Sequence, residues 1–260
     1  MKHTAIITLI LIGLFLGAQL MGLVILNKYN NKELPFNIKR PEFRQETSSI
    51  SLLLTILIVT VFAFLLIRLR ARKVWMIWFF LSVFFTLVIA FSVFFNQYLA
   101  LVIALVLAFL KTLRNNVYLH NFTELFIYGG LVAIFAPVLS LVSITILLIL
   151  ISVYDIIAVW KTKHMIKLAK FQTEMKVFAG LLIPYGKKVA ILGGGDIGFP
   201  LLFGGVILLS SGWLRALIVV LCVSVALSLL LFKGKKKKFY PAMPYLTAGC
   251  FVGYLIGLLV

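Results

Sequence analysis

The chain alternates long apolar runs with short charged connections, and the length of each run decides what it can be. A helix of roughly 20 mostly apolar residues is long enough to cross the hydrocarbon core of a bilayer. Runs of that kind fall near residues 4–26, 50–67, 74–95, 97–110, 122–138, 140–160, 189–209, 212–232 and 241–260. The pattern predicts an all-α, polytopic membrane protein with nine transmembrane helices. The fourth run is short, which suits a tilted or partly re-entrant segment. The fifth and sixth come from cutting one apolar stretch, Leu125 to Trp160, near Pro137 to Ser140, because proline breaks a helix. The first run follows Lys2 and is longer than the apolar core usual in a signal peptide, so it reads as a retained span.

Composition supports the bilayer as solvent. Hydrophobic residues make up 63% of the chain and charged residues only 12%. Soluble proteins carry about 25% charged residues, roughly twice as many. The formal charge of +18 invites a nucleic-acid reading, but the basic residues lie in the connections, where they encode orientation. Nineteen of the 25 Lys and Arg residues lie on the side of the N-terminus and the even-numbered connections, among them Arg68 to Lys73, Lys111, Arg114, Lys161 to Lys188 and Lys233 to Lys238. Lys28, Lys32, Lys39, Arg40, Arg44 and Arg215 lie on the other. This bias predicts a cytoplasmic N-terminus and, after nine spans, an outside C-terminus. Nucleic acid is excluded as a partner.

The same pattern divides the chain into a six-span part, 1–160, a cytoplasmic connection, 161–188, and a three-span part, 189–260. The connection carries MIKLAKFQTEMKVFAGLLIP, whose interleaved apolar and basic residues suit either an interfacial amphipathic helix or a solvated basic loop. The run Lys235 to Lys238 reads as an orientation signal near anionic headgroups. Cys222 and Cys250 sit inside apolar runs without metal-ligand spacing and receive no role. No metal or organic cofactor is expected.

The acidic residues are Glu33, Glu42, Glu46, Glu124, Asp155, Glu174 and Asp196. The glutamates fall in connections or at a span's edge, whereas the two aspartates each lie inside a span. An aspartate at a helix centre costs about 2.5–3.5 kcal/mol on insertion scales, which marks it as functional. The spans 140–160 and 189–209 hold no Lys, Arg or His, so each aspartate is the other's natural partner. At about 1.5 Å per residue, Asp155 lies about 9 Å from Lys161 and Asp196 about 12 Å from Lys188, nearly the same depth from one membrane face. Two carboxylates held close share a proton, so that one can activate water while the other polarises a carbonyl.

Asp196 stands in ILGGGDIGFP, where Gly193, Gly195 and Gly198 match the dinucleotide-binding spacing G-x-G-x-x-G. That motif requires a preceding strand, a βαβ unit and a later acidic residue. None is expected here. The glycines instead weaken the helix start and let another backbone approach Asp196.

At these residues the chain resembles the presenilin and signal peptide peptidase family of intramembrane aspartyl proteases. Tyr154-Asp155 matches its Y-D motif and Gly193 to Asp196 its G-x-G-D motif. Pro241-Ala242-Met243 matches P-A-L with methionine for leucine, a swap that conserves volume and polarity. The resemblance covers essentially the whole chain and implies an intramembrane endopeptidase that cuts transmembrane substrate helices within the lipid bilayer. By it, Asp155 and Asp196 are the catalytic pair, Gly193 and Gly195 shape the backbone beside them, and Tyr154 adjoins them. Pro241, Ala242 and Met243 line the site and position an unwound substrate. Orientation resembles presenilin, which implies substrates with an outside N-terminus; relatives of that kind are cut in the region of 161–188. A second copy of the chain is a candidate partner.

Three rivals use the same residues. Prepilin peptidases also carry G-x-G-D, but have fewer spans and no P-A-L-like motif. An ion- or proton-coupled transporter would bind cations at paired aspartates, yet the chain shows no internal repeat or further acidic relay. An inactive scaffold would not need both aspartates. Zinc and serine proteases fit poorly, since H-E-x-x-H is absent and His3, His120 and His164 lie near span edges or in connections.

Overall fold

A computed structural model describes residues 5–30, 32–41, 54, 55, 58, 72–114, 116–161, 178–186, 188–234 and 240–260. The expected second span, 50–67, lies outside these residues apart from Leu54, Thr55 and Ile58. Eight apolar helices stand among them: α1 Ala5–Lys28, α2 Arg72–Phe91, α3 Gln97–Leu113, α4 Val117–Phe135, α5 Leu141–Ile156, α6 Gly194–Ser211, α7 Trp213–Lys233 and α8 Met243–Leu258. Six of them are long and apolar enough to cross a membrane, counting the short extensions of α4 to Val138 and α5 to Lys161; α3 and α8 are shorter.

The cut within the long apolar stretch falls where proline places it. Helix α4 ends at Phe135, a 3-10 turn covers Ala136–Val138, and the Ser140 side chain accepts from Ser143 N to start α5. Pro137 has no N–H to return to the carbonyl of Ala133, four residues earlier. Arg40 takes up that carbonyl: its Nε donates to Ala133 O at 3.2 Å, while its Nη2 donates to Tyr29 O and Lys32 O. A cation assigned by sequence to orientation thus also satisfies a broken helix end.

Helix packing relies on small residues, as expected where lipid and side chain are equally apolar. Gly249 and Gly253 of α8 bring the backbone of α7 so close that an added Cβ would crowd Val223 Cα at 3.0 Å and Val219 Cα at 2.7 Å. On α4, a Cβ at Gly130 would overlap Thr86 O of α2. The obstacle is backbone and cannot rotate away. Gly130→Val is therefore expected to destabilise by about 3 kcal/mol or more, read as a lower thermal midpoint in detergent.

One expectation fails. Residues 189–193 are not helical: strand β2, Lys188–Gly193, pairs antiparallel with β1, Gly180–Tyr185, and Gly186 at the turn has φ 54°. The span expected at 189–209 is the helix Gly194–Ser211 behind a hairpin, and the depth of Asp196 counted by helical rise does not apply. A strand therefore does precede the glycine motif. It enters an antiparallel hairpin rather than a βαβ unit, so the dinucleotide reading still fails. Burial explains the strand, since Val189 and Ile191 are exposed while Ala190 and Leu192 are buried, a period of two. Both faces carry apolar residues, so hydropathy alone could not separate strand from span. The amphipathic helix considered for 165–184 fails over Gly180 to Pro184, which is strand; residues 162–177 lie outside the described residues, and so does Lys235 to Lys238.

Candidate active site

Asp155 occupies the last turn of α5, where the helix passes into a π-helical turn, Ile157–Lys161. Such turns recur at functional sites. Its carboxylate is buried, and Oδ2 accepts from Met243 N at 3.1 Å, with the Ala242 N–H also donating to it. Ala242 is the N-cap of α8, so the acid sits at the positive end of that helix. Pro241 and the Met243 side chain are buried, and Pro244 follows in the first turn of α8. The Pro-Ala-Met segment therefore meets the aspartate through its backbone. One turn earlier, Ser152 Oγ and Thr247 Oγ1 lie 2.8 Å apart and tie α5 to α8. Tyr154 is half-buried beside Asp155.

Asp196 reaches its place by a different local logic. Gly193 is at once the last residue of β2 and the N-cap of α6, which makes Asp196 the third residue of that helix. An acid there folds back on the N-cap N–H, one half of a capping box. The Gly193 N–H makes this bond, and a Cβ at Gly193 would stand 3.3 Å from Asp196 Oδ2. Gly194 N donates to Ala179 O at 3.1 Å, and a Cβ there would crowd Tyr128 Oη at 3.0 Å. Gly195 is exposed, and among the described side chains a Cβ there would meet Phe199 of its own helix. Pro200 cannot donate to the carbonyl of Asp196, which loosens the first turn further.

The two aspartates lie near enough for the charge of Asp155 to be felt at Asp196. Among the described residues, no Lys or Arg makes an ion pair with either.

Sequence reasoning missed the polar group behind the site. It places Lys111 and Glu124 at span edges, the first as an orientation charge. Both are 1% exposed at the side chain, with Lys111 Nζ 2.8 Å from Glu124 Oε1. The reason is helix length: α3 runs on to Leu113 and α4 begins at Val117, which draws both charges inward. Glu124 Oε2 in turn accepts from Gly180 N of β1 at 3.1 Å. Gln19 of α1 was also missed; its Nε2 donates to Ile197 O at 2.9 Å, next to Asp196. A glutamine in an apolar run was the available signal.

Two acids on adjoining helices, Asp155 buried and Asp196 half-buried, with no cation paired to them among the described residues and a membrane-type exterior, fit an intramembrane aspartyl protease. The family model for signal-peptide peptidase, presenilin aspartyl protease matches residues 12–196, ending on the second aspartate. The chain belongs to this family, and its function is intramembrane aspartyl proteolysis rather than transport. Its fold is similar to two solved structures of a presenilin family intramembrane aspartate protease. The one in space group C222 has 21% identity and TM-score 0.73, covering 97% of this chain and 98% of the other. The one in space group P2 has 22% identity and TM-score 0.68, covering 96% of each. No curated protein matches the chain.

Proposed function

We propose that Asp155 and Asp196 are the catalytic pair and that they cleave a peptide bond inside a substrate's transmembrane helix. The ionised carboxylate takes a proton from water as its oxygen bonds to the scissile carbonyl carbon; the protonated carboxyl gives its proton to the carbonyl oxygen. Collapse of the tetrahedral species breaks the C–N bond, and a proton passes to the leaving amine. The carrying observation is that the two acids stand on adjoining helices, near enough for the charge of Asp155 to be felt at Asp196, with no cation paired to either among the described residues.

A helix hides its carbonyls in its own hydrogen bonds, so the substrate must unwind before it is cut. The hairpin offers a template. Gly180 and Leu182 of β1 bond side chains of α4, so the residues of β2 opposite them, Gly193 and Ile191, turn their N–H and C=O away from β1. Among the described residues no strand pairs with this edge at Ile191, and at Gly193 its N–H is taken by Asp196; the edge therefore ends at the acid and suits an added substrate strand. In this reading Gly193 and Gly195 keep room for the substrate backbone. Pro241, Ala242 and Met243 fix Asp155 and border the scissile bond, and Tyr154 packs beside it.

Residues 50–67 complete nine spans, with the N-terminus cytoplasmic and the C-terminus outside. Lys111 leaves the orientation count once it is paired, and the bias stands without it. The test is cleavage of a tagged single-span substrate in liposomes, offered in both orientations. Substrates with an outside N-terminus should be cut and the chain should carry no ion flux. Cleavage confined to the opposite orientation would contradict the topology, and flux without cleavage the proteolytic reading.

A further inference from the structure

The side chains of α4 do to β1 what a third strand would do. Asn121 Nδ2 donates to Leu182 O at 2.7 Å, and Asn121 Oδ1 accepts from Leu182 N at 3.0 Å. An amide is the side chain that can both donate and accept in this way, reproducing a backbone pair. Two residues along the strand, Glu124 Oε2 takes Gly180 N and His120 Nε2 lies 2.7 Å from Gly180 O. A carbonyl only accepts, so His120 carries its proton on Nε2, leaving Nδ1 to accept from Lys111 Nζ at 3.1 Å. Gly180 tolerates this grip as glycine: its φ is 140°, and an added Cβ would overlap Leu192 O. The outer edge of β1 is thereby closed over two residue positions by one turn of helix.

The hairpin thus cannot slide on α4 without breaking four hydrogen bonds at once. The last residue of β2, Gly193, lies directly opposite the clamped Gly180, and its N–H holds the Asp196 carboxylate. We propose that Asn121, with His120 and Glu124 beside it, is a positioning residue that fixes the register of the hairpin and through it the location of Asp196. The inference rests on the reading of Asp196 as catalytic. A displacement of about 1 Å at a reacting group costs on the order of 100-fold in rate, so loss of the clamp is felt at the chemistry.

The test uses the full chain in liposomes with Asn121→Leu and the isosteric Asn121→Asp, which puts an oxygen where Leu182 O requires a donor. Both variants should lower kcat at least about 10-fold and spread the cut over neighbouring bonds of the tagged substrate. Amide hydrogen exchange over 180–193 should quicken, while α1 and α7 keep their protection. Cleavage at one bond with the original kcat, or unchanged exchange across the hairpin, overturns the proposal. Asp196→Asn is run alongside. It should lose cleavage with the hairpin still protected; if it cleaves, the catalytic reading fails, and the exchange of the Asn121 variants still decides the clamp.

Discussion

Asp196→Asn is expected to remove cleavage of a transmembrane substrate by about 1,000-fold or more, to the background of the assay. The substitution is chosen to spare the fold. Asparagine has the same shape, and its Oδ1 can still accept from the Gly193 N–H that caps α6. What it cannot do is carry a charge to activate water or pass a proton back and forth. Asp155→Asn should behave alike, since an amide oxygen can still take the Met243 N–H at 3.1 Å. The double variant should be no worse than either single one, because residues that act as a unit lose their effect together. Both variants should reach the membrane and melt within a few degrees of the parent chain. An Asn variant retaining a tenth of the activity would show that the acid is dispensable.

The second large effect lies behind the site. Lys111→Leu leaves the Glu124 carboxylate buried at 1% exposure without its cation, and breaking a buried pair in this way costs about 3–5 kcal/mol. The double variant Lys111→Leu/Glu124→Leu removes both charges and should recover most of that loss, since well-packed apolar residues replace such pairs at little cost. It should not recover activity, because Gly180 N loses the acceptor that holds β1. Thermal unfolding in detergent and cleavage in liposomes separate the two consequences. A single variant as stable as the parent would mean that the pair is solvated.

The parts of this molecule legible in the sequence are those where the bilayer imposes one answer. Most of the apolar helices, the break at Pro137 and the isolation of Asp155 and Asp196 follow from the cost of polar groups in hydrocarbon. Two features did not follow. The strand Lys188–Gly193 carries Val, Ala, Ile and Leu on both faces, so its composition is that of a span, and only pairing with β1 selects the extended form. The Lys111–Glu124 pair joins residues 13 apart on separate helices, and a small difference in helix length decides whether each charge meets water or the other. Asn121 belongs with them. An asparagine near a helix start reads as a local polar residue until the strand it clamps is in place.

The account turns on two carboxyl groups acting on one tetrahedral carbon. A substrate-like peptide with a secondary alcohol in place of the scissile carbonyl mimics that species, and transition-state analogues of this kind bind far more tightly than substrates. The direct measurement is the structure of the full chain with this peptide bound. The alcohol oxygen should lie within about 3 Å of a carboxyl oxygen of both Asp155 and Asp196, with the peptide extended along the edge of β2. An alcohol in contact with one aspartate alone, or a peptide seated away from both, would contradict it.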